Sequence, residues 1–119
     1  MDAVIHQAVR LRVMAILQRN RDVSFVALRD AVGATDGNLD AHGAVLRQAG
    51  YIEARRRLGP GGFAVHYRIT PAGAAAFQAY ARELQQILDA AGEAAARTPA
   101  SVGQRTSAAQ PGRPPSSDP

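Results

Sequence analysis

The stretch that most constrains the fold is Thr35–Tyr51, which reads TDGNLDAHGAVLRQAGY, together with the arginine-rich segment after it. A threonine suited to capping, an amphipathic stretch and a terminal glycine predict a helix that runs to about Ala49 and stops at Gly50. Three consecutive arginines, residues 55–57, follow in a segment with strand character. A short helix followed directly by a basic hairpin suits a DNA major groove and the phosphate backbone beside it.

Two helices are predicted ahead of this stretch. The first rests on apolar residues at helical spacing, namely Ile5, Val9, Val13, Ile16 and Leu17. Leu11 and Met14 lie off that stripe, and we predict that they contact a second subunit.

The second helix runs roughly from Ser24 to Val32, with a buried face of Phe25, Leu28 and Val32. Gly33 is then placed to leave this helix in a left-handed conformation.

A β-hairpin is predicted over residues 51–58 and 63–70, with the turn Gly59–Gly62 between the strands. In the second strand Phe63, Val65, Tyr67 and Ile69 alternate with Ala64, His66 and Arg68, which is the period of a half-buried strand. The same alternation in the first strand places Arg55 and Arg57 on one face and Arg56 on the other.

A long helix is predicted to begin at Thr70-Pro71 and to reach Arg97, which is about 40 Å at 1.5 Å per residue. Its apolar stripe includes Phe77, Tyr80, Leu84, Ile87 and Leu88. A domain of this size does not cover such a length, so either a second chain meets the stripe or the distal part frays. We favour the second chain, and therefore a homodimer.

The predicted order of elements is three helices, a hairpin and a long helix, which is the order of a winged helix-turn-helix. The fold class is therefore α+β, mainly α, with a hairpin wing and a C-terminal dimerisation helix. Residues 1–97 form the predicted domain. Residues 98–119 are rich in Pro, Ser, Gly, Gln and Ala without an aromatic side chain, so we predict a disordered tail.

The composition of the chain narrows the range of functions that it can have. The formal net charge is +4, and all 14 basic residues are arginine. Five arginines and one glutamate fall between Arg47 and Arg68, a concentration that favours a polyanionic partner over a merely solvated hairpin. The chain has no cysteine and no apolar run of membrane-spanning length, so we expect a soluble, intracellular protein without disulfides.

Several strings of the sequence resemble one family. They are AVRLRVM (residues 8–14), TDGNL (35–39), QAGY (48–51) and YRITPAG (67–73). These strings are similar to the small MarR/ArsR-type winged-helix transcriptional regulators of bacteria, over about residues 2–88. The resemblance implies a cytoplasmic homodimer that binds double-stranded DNA at a near-palindromic operator.

Two positions depart from the family pattern. The family usually has two small hydroxyl residues after Leu39, where this chain has Asp40 and Ala41. The family also favours a large apolar residue after His42, where this chain has Gly43, and a glycine inside a helix costs about 1 kcal/mol relative to alanine. Both departures fall in the proposed reading helix and bear on its operator sequence.

The candidate DNA-binding residues lie on the third helix and the hairpin. They are Thr35, Asn38, Asp40, Ala41, His42, Arg47, Gln48, Arg55, Arg56, Arg57 and Arg68. Asn38 suits an adenine edge, Ala41 a thymine methyl and Asp40 a cytosine amino group. For His42, local bonding is the first interpretation and phosphate contact the second. No catalytic set, metal-ligand spacing or cofactor motif is present, so we predict neither an enzyme nor a cofactor.

A rival hypothesis is a winged-helix module that binds protein through its wing or long helix. Fold alone does not decide between the two, because winged helices serve both roles. The basic hairpin beside a helix with small exposed side chains favours DNA. No residue in the sequence points to a small-molecule effector.

Overall fold

The computed structural model describes residues 1–97, and its elements follow the predicted order with one addition. The helices are α1 (Ala8–Arg19), α2 (Phe25–Val32), α3 (Asp36–Gln48) and α4 (Pro71–Arg97). The strands are β1 (Val23–Ser24), β2 (Ile52–Gly59) and β3 (Gly62–Ile69). This is the predicted α+β winged helix-turn-helix. The tail predicted over residues 98–119 lies outside the described residues.

Side-chain caps fix where the three short helices begin. Gln7 Oε1 accepts from the backbone N–H of Arg10 at 2.9 Å ahead of α1. Ser24 and Thr35 cap α2 and α3 in the same way, each accepting at 3.1 Å from a backbone N–H three residues later. The predicted cap at Thr35 and the left-handed Gly33, with φ of 78°, are both confirmed.

The addition is β1, which makes the sheet three-stranded with the order β1-β3-β2. Val23 pairs with Tyr67 and Ser24 with His66, both antiparallel. A strand of two residues is too short to show the alternation by which strands are recognised. Ser24 also caps α2, so a single residue ends the strand and starts the helix.

The core lies between α1, α2, α3 and the inner face of the sheet. Its buried apolar residues are Ile5, Val13, Met14, Leu17, Leu28, Val32, Leu39, Leu46, Ile52, Tyr67 and Tyr80. Ile5 was predicted as part of the first helix, but α1 begins three residues later. Its side chain is nevertheless fully buried, because the segment before α1 folds back onto the core.

Two residues predicted for the dimer interface belong to this core instead. Met14 is 0% exposed, because α1 is contacted by α2, α3 and β3 and so buries more than one stripe. Tyr80 is 4% exposed, and its hydroxyl lies 2.7 Å from Nδ1 of His6. Neither side chain is therefore available to a second chain, and the interface prediction is wrong at both. Leu11 stays partly exposed.

One junction joins the end of α3 to the start of α4. Thr70 Oγ1 donates to the carbonyl of Gly50 at 2.6 Å, and the Thr70 N–H donates to the carbonyl of Tyr51 at 3.0 Å. The same Thr70 Oγ1 accepts from the N–H of Gly73 at 3.0 Å, so it also caps α4. Gly50 has φ of 78°, a left-handed conformation that favours glycine and turns the chain from α3 into β2.

The far half of the hairpin does not follow the prediction of a half-buried strand. Phe63 is 63% exposed and Leu58, its cross-strand partner, is 73% exposed. Alternation identifies the apolar face of a strand, but it does not say whether another element covers that face. On this face of β3, Tyr67 is buried, with 4% of its surface exposed. Val65, two residues nearer the turn, is already 37% exposed.

By its internal contacts the chain divides into two units, Met1–Glu83 and a second that begins at Leu84. In the described part of the second unit, Ile87 and Leu88 are 49% and 56% exposed. Gln85 Nε2 donates to Asp89 Oδ1 at 2.9 Å along this stretch of helix. No helix within residues 1–97 is long and apolar enough to cross a membrane.

Two glycines inside helices differ in what a methyl group would meet. At Gly43 an added Cβ would lie 3.9 Å from the hydroxyl of Tyr67, an ordinary contact. At Gly73 it would overlap the carbonyl oxygen of Tyr51. The space that Gly43 leaves is therefore occupied in part by a tyrosine hydroxyl, whereas Gly73 permits the close approach of two backbones.

Replacing the two glycines by alanine should therefore shift stability in opposite directions. Gly43→Ala should stabilise the protein by about 1 kcal/mol, because it removes the helix penalty of glycine without a clash. Gly73→Ala should destabilise it by about 1–3 kcal/mol, because the overlap forces the backbone to shift. Urea unfolding at neutral pH measures both. Destabilisation by Gly43→Ala would contradict the packing described around Tyr67.

A carboxylate in the segment before α1 gives stability a dependence on acid. Asp2 Oδ2 accepts from the Tyr51 hydroxyl at 2.6 Å, and Oδ1 accepts from the N–H groups of Val4 and Ile5 at 2.9 and 3.3 Å. Burial alone would raise the pKa of Asp2, but these hydrogen bonds outweigh it and lower that pKa. The bond to Asp2, followed by burial, raises the pKa of Tyr51.

The lowered pKa of Asp2 means that its contribution is present above its unfolded pKa of about 3.9 and is lost as the pH falls through the lower folded value. Asp2→Asn should therefore lower the free energy of unfolding at pH 7 and reduce its fall below about pH 4. Urea unfolding at several pH values measures this. Tyr51→Phe should act in the same direction, and an acid dependence unchanged in both variants would exclude this carboxylate as its source.

Candidate nucleic-acid interface

Helix α3 presents two different faces. Leu39, Gly43 and Leu46 are buried against the core. The residues predicted to read DNA lie on the other side and are exposed, namely Thr35, Asn38, Asp40, Ala41, Arg47 and Gln48. Within residues 1–97 the side chains of Asn38, Asp40, Arg47 and Gln48 form no hydrogen bond or ion pair, so they are free to contact a ligand. The contact with DNA itself stays a prediction.

The start of α3 is held by an ion pair that has no signature in the sequence. Arg29, in the last turn of α2, places Nη1 2.9 Å from Oδ1 of Asp36 and Nη2 2.9 Å from Oδ1 of Asp30. The hydrogen bond to Asp36, then that to Asp30, raises the pKa of Arg29. Asp36 also lies in the first turn of α3, where a negative charge suits the helix dipole. Arg29 and Asp36 lie seven residues apart on two different helices. The spacing of three or four residues that pairs charges within one helix therefore does not predict their contact.

His42 links α3 to the segment before α1. Arg10 Nη1 lies 3.1 Å from Nδ1 of His42, and Arg10 Nε donates to the carbonyl of Val4 at 2.5 Å. Since guanidinium only donates, Nδ1 of His42 is the acceptor. His42 is half-buried in this position. Local bonding, the first interpretation of this histidine, is the one that the structure supports.

The three wing arginines have different surroundings. Arg57 forms an ion pair with Asp22, which precedes β1. Arg56 places its guanidinium carbon 4.8 Å from the centre of the Phe63 ring, a cation–π contact on the exposed apolar face. Arg55 is exposed, pairs across the strands with His66, and forms no hydrogen bond or ion pair within residues 1–97. Arg55 is therefore the wing cation with the least internal competition for phosphate.

Arg68 lies apart from the free wing cations. It pairs across the strands with Glu53, and its Nε is 3.9 Å from Oε1 of that residue. The side chain is partly buried, and Nε has no hydrogen-bond partner. Arg68 shares a cleft with Arg57 at the base of the hairpin, so the structure joins these two arginines and leaves Arg55 outside that cleft.

Together, α3 and the wing offer two kinds of contact. The exposed face of α3 combines an amide, a carboxylate, a methyl group and a guanidinium, which are the groups that distinguish base edges. The wing offers cations, which contact phosphate without regard to sequence. Among residues 1–97 no group of three or more His, Asp or Glu side chains is arranged to hold a metal ion.

Residues 9–88 match the family of winged helix DNA-binding domains. An uncharacterised protein of Methanocaldococcus jannaschii is 29% identical over 84 residues, which are 71% of this chain and 91% of that protein.

Two solved structures have a similar fold. A transcriptional regulator homologue from Pyrococcus horikoshii superposes with a TM-score of 0.71 at 24% identity, over 75% of this chain and 88% of that one. A homodimeric winged helix-turn-helix DNA-binding domain from Mycobacterium bovis, described as a possible ArsR-family transcriptional regulator, gives a TM-score of 0.62 at 23% identity. That match covers 72% of this chain and 76% of the other. At these identities the likeness establishes the fold.

Proposed function

Because this chain belongs to the family of winged helix DNA-binding domains, we propose that it is a transcriptional regulator that binds a near-palindromic operator as a homodimer. The observation that carries the proposal is the exposed face of α3, whose polar side chains are unengaged within the described residues. Side chains that a fold leaves unbonded on one helix, beside a basic hairpin, are suited to reading base edges.

Helix α3 lies in the major groove in this proposal. Asn38 pairs with the edge of an adenine, and Ala41 contacts a thymine methyl. Asp40 accepts from a cytosine amino group, because a carboxylate repels phosphate. Arg47 and Gln48, near the end of the helix, complete the contacts. The Thr35 hydroxyl accepts from the N–H of Asn38, and its own O–H can still donate to a phosphate oxygen.

The wing supplies contacts to the DNA backbone. Arg55 is the principal phosphate ligand, because it has no ion-pair partner within residues 1–97. Arg57 contributes after exchanging Asp22 for phosphate, and Arg56 contributes while it remains on the Phe63 ring. His42 is a weaker candidate than the arginines, because Arg10 occupies its Nδ1.

The dimer is formed by α4, with help from Leu11 on α1. Phe77 and Leu84 are partly exposed, and Ile87 and Leu88 are more so, at helical spacing along one side. A second copy that covers this stripe removes apolar surface from water. The similar Mycobacterium bovis domain is a homodimer, which supports the same assembly here. A two-fold dimer places its reading helices about 34 Å apart, one turn of DNA.

The alternative function is a protein-interaction module. The specific observation in its favour is the apolar wing face, where Leu58, Phe63 and Val65 are exposed on the same side. Exposed apolar patches commonly mark interaction sites. Binding to DNA and binding to protein differ in salt dependence, because phosphate contacts release counterions and weaken steeply as salt rises.

Substituting one residue on α3 and one on the wing separates base reading from phosphate contact. Asn38→Ala should weaken binding to a selected operator by about 1–3 kcal/mol and relax the preference at one base pair. Arg55→Ala should weaken binding to all sequences by similar factors and lower the log–log salt slope by about one unit. Gel retardation over a range of salt concentrations measures both.

Arg12→Ala is the matched control for Arg55→Ala, because it removes an exposed arginine from α1 instead of from the wing. It should leave the salt slope within error of the unmodified protein. Selection of random duplexes that enriches no sequence at moderate salt would exclude base reading. A salt slope unaltered by Arg55→Ala would remove Arg55 from the interface.

Adding a charge to the α4 stripe tests the dimer. Leu88→Asp should yield a monomer with weak operator binding, because it places a carboxylate in an apolar seam. Gln86→Asp adds the same charge about 160° around the helix from Leu84 and Leu88, at 100° per residue, and should stay dimeric. Light scattering at tens of micromolar gives the mass of each. A monomeric mass for the unmodified protein, unchanged by operator DNA, would refute the proposed assembly.

A further inference from the structure

A cleft opens between the end of α1, the turn into β1 and the base of the hairpin. Its volume is about 620 Å³, within the range of about 300–1,000 Å³ typical of small-molecule sites. The polar residues that line it are Gln18, Arg19, Arg21, Asp22, Arg57 and Arg68. Leu17 and Ile69 add apolar surface. The cleft is separate from the exposed face of α3.

The cleft has a strong excess of positive charge. Four of its lining residues are arginines, and the single acid is Asp22. Asp22 is engaged by Arg57, and Glu53 lies 3.9 Å from Nε of Arg68, so the charge without an ion-pair partner is that of the other two arginines. Arg19 and Arg21 are exposed and form no ion pair within residues 1–97. Such a lining favours a ligand with a carboxylate or phosphate group.

Two buried polar atoms distinguish this cleft from the rest of the described chain. Within residues 1–97, the buried side-chain nitrogen and oxygen atoms without a hydrogen-bond partner are Gln18 Oε1 and Arg68 Nε. Both belong to residues that line this cleft, although the two atoms themselves are buried beneath its surface and Arg68 Nε also lies 3.9 Å from Oε1 of Glu53. A buried polar atom left unpaired costs about 1–3 kcal/mol, so its retention calls for an explanation. One atom is an acceptor and the other is a donor.

We propose that this cleft binds a small organic anion that carries a hydroxyl group next to its carboxylate or phosphate. The oxyanion accepts from Arg68 and from the neighbouring guanidinium groups. The hydroxyl donates to Gln18 Oε1, which a turn of the side-chain amide brings from its buried position into the cleft. The charge selects the anion, and the unpaired acceptor selects an anion with a hydroxyl over one without.

Occupancy of the cleft also affects the charge that the wing presents to DNA. This effect on DNA binding rests on the proposed function. An anion in the cleft competes with Asp22 for Arg57 and so changes the charge that the wing presents. If Arg57 contacts DNA phosphate, ligand and DNA alter each other's affinity by the same factor. Binding of the ligand to the free protein needs no DNA.

The test compares malate with succinate, which differ by one hydroxyl group. Calorimetry with the full chain at constant ionic strength should give binding of both and tighter binding of malate, by about tenfold for one satisfied buried acceptor. Inorganic phosphate, which has no separate carbon-bound hydroxyl, serves as the second simple probe and should bind more weakly than glycerol 3-phosphate. If none of these four anions binds at up to millimolar concentration, the site is refuted.

Two variants connect the binding to named atoms. Arg68→Gln should weaken malate and succinate alike by about tenfold or more, because it removes a charged donor. Gln18→Met should remove the preference for malate and leave succinate binding unchanged. Arg12→Gln, which removes an exposed arginine outside the cleft, is the control. Equal losses of anion affinity in Arg12→Gln and Arg68→Gln would show that binding depends only on the overall charge of the protein, and would overturn the proposal.

A DNA measurement identifies the source of the anion. If Arg68→Gln lowers the salt slope of DNA binding in the absence of any small anion, the cleft holds a backbone phosphate and the small-molecule proposal is wrong. If the unmodified protein binds malate but not duplex DNA, the cleft proposal stands and the DNA-binding proposal fails. The two proposals are therefore separable in one set of samples.

Discussion

The rest of the structure depends on the junction at which Thr70 meets the Gly50–Tyr51 turn. One threonine donates to the carbonyl of Gly50, accepts from the N–H of Gly73, and donates its own N–H to the carbonyl of Tyr51. These bonds fix the end of α3 and the start of α4 relative to each other. The absence of a side chain at Gly73 is what allows this approach. Since the Tyr51 hydroxyl binds Asp2, the segment before α1 is fixed by the same turn.

Local signals were sufficient to predict most of the architecture. Thr35, Gly33 and Gly50 each act through the backbone of their immediate neighbours, so a single sequence contains their whole explanation. The alternation in the hairpin likewise gave the correct faces, because strand pairing brings Arg55 opposite His66 and Arg56 opposite Val65. The exposure of the predicted reading face of α3 also followed from helical periodicity.

Features that depend on distant neighbours did not follow from the sequence. Met14 lies off the main stripe of α1, yet contacts from several directions bury it completely. Phe63 lies on the apolar face of its strand, yet it is 63% exposed, with the Arg56 guanidinium over its ring. The partners of Arg29 and Arg57 depend on how α2 meets α3 and how β1 meets the hairpin. None of these contacts follows from a regular spacing of residues in the sequence. The cleft at the end of α1 also has no such spacing, because residues from separate elements line it.

Helix α3 holds its place through buried residues and presents others to solvent, and this separation affects how a protein like this one can diversify. Leu39 and Leu46 are buried, whereas the side chains of Asn38, Asp40 and Gln48 form no hydrogen bond or ion pair within the described residues. Exposed substitutions away from caps and networks usually change stability by no more than about 0.5 kcal/mol. The outward positions of α3 are therefore free to vary at little thermodynamic risk. Under the proposed function, a duplicated copy can acquire a new target sequence before its fold has to adapt.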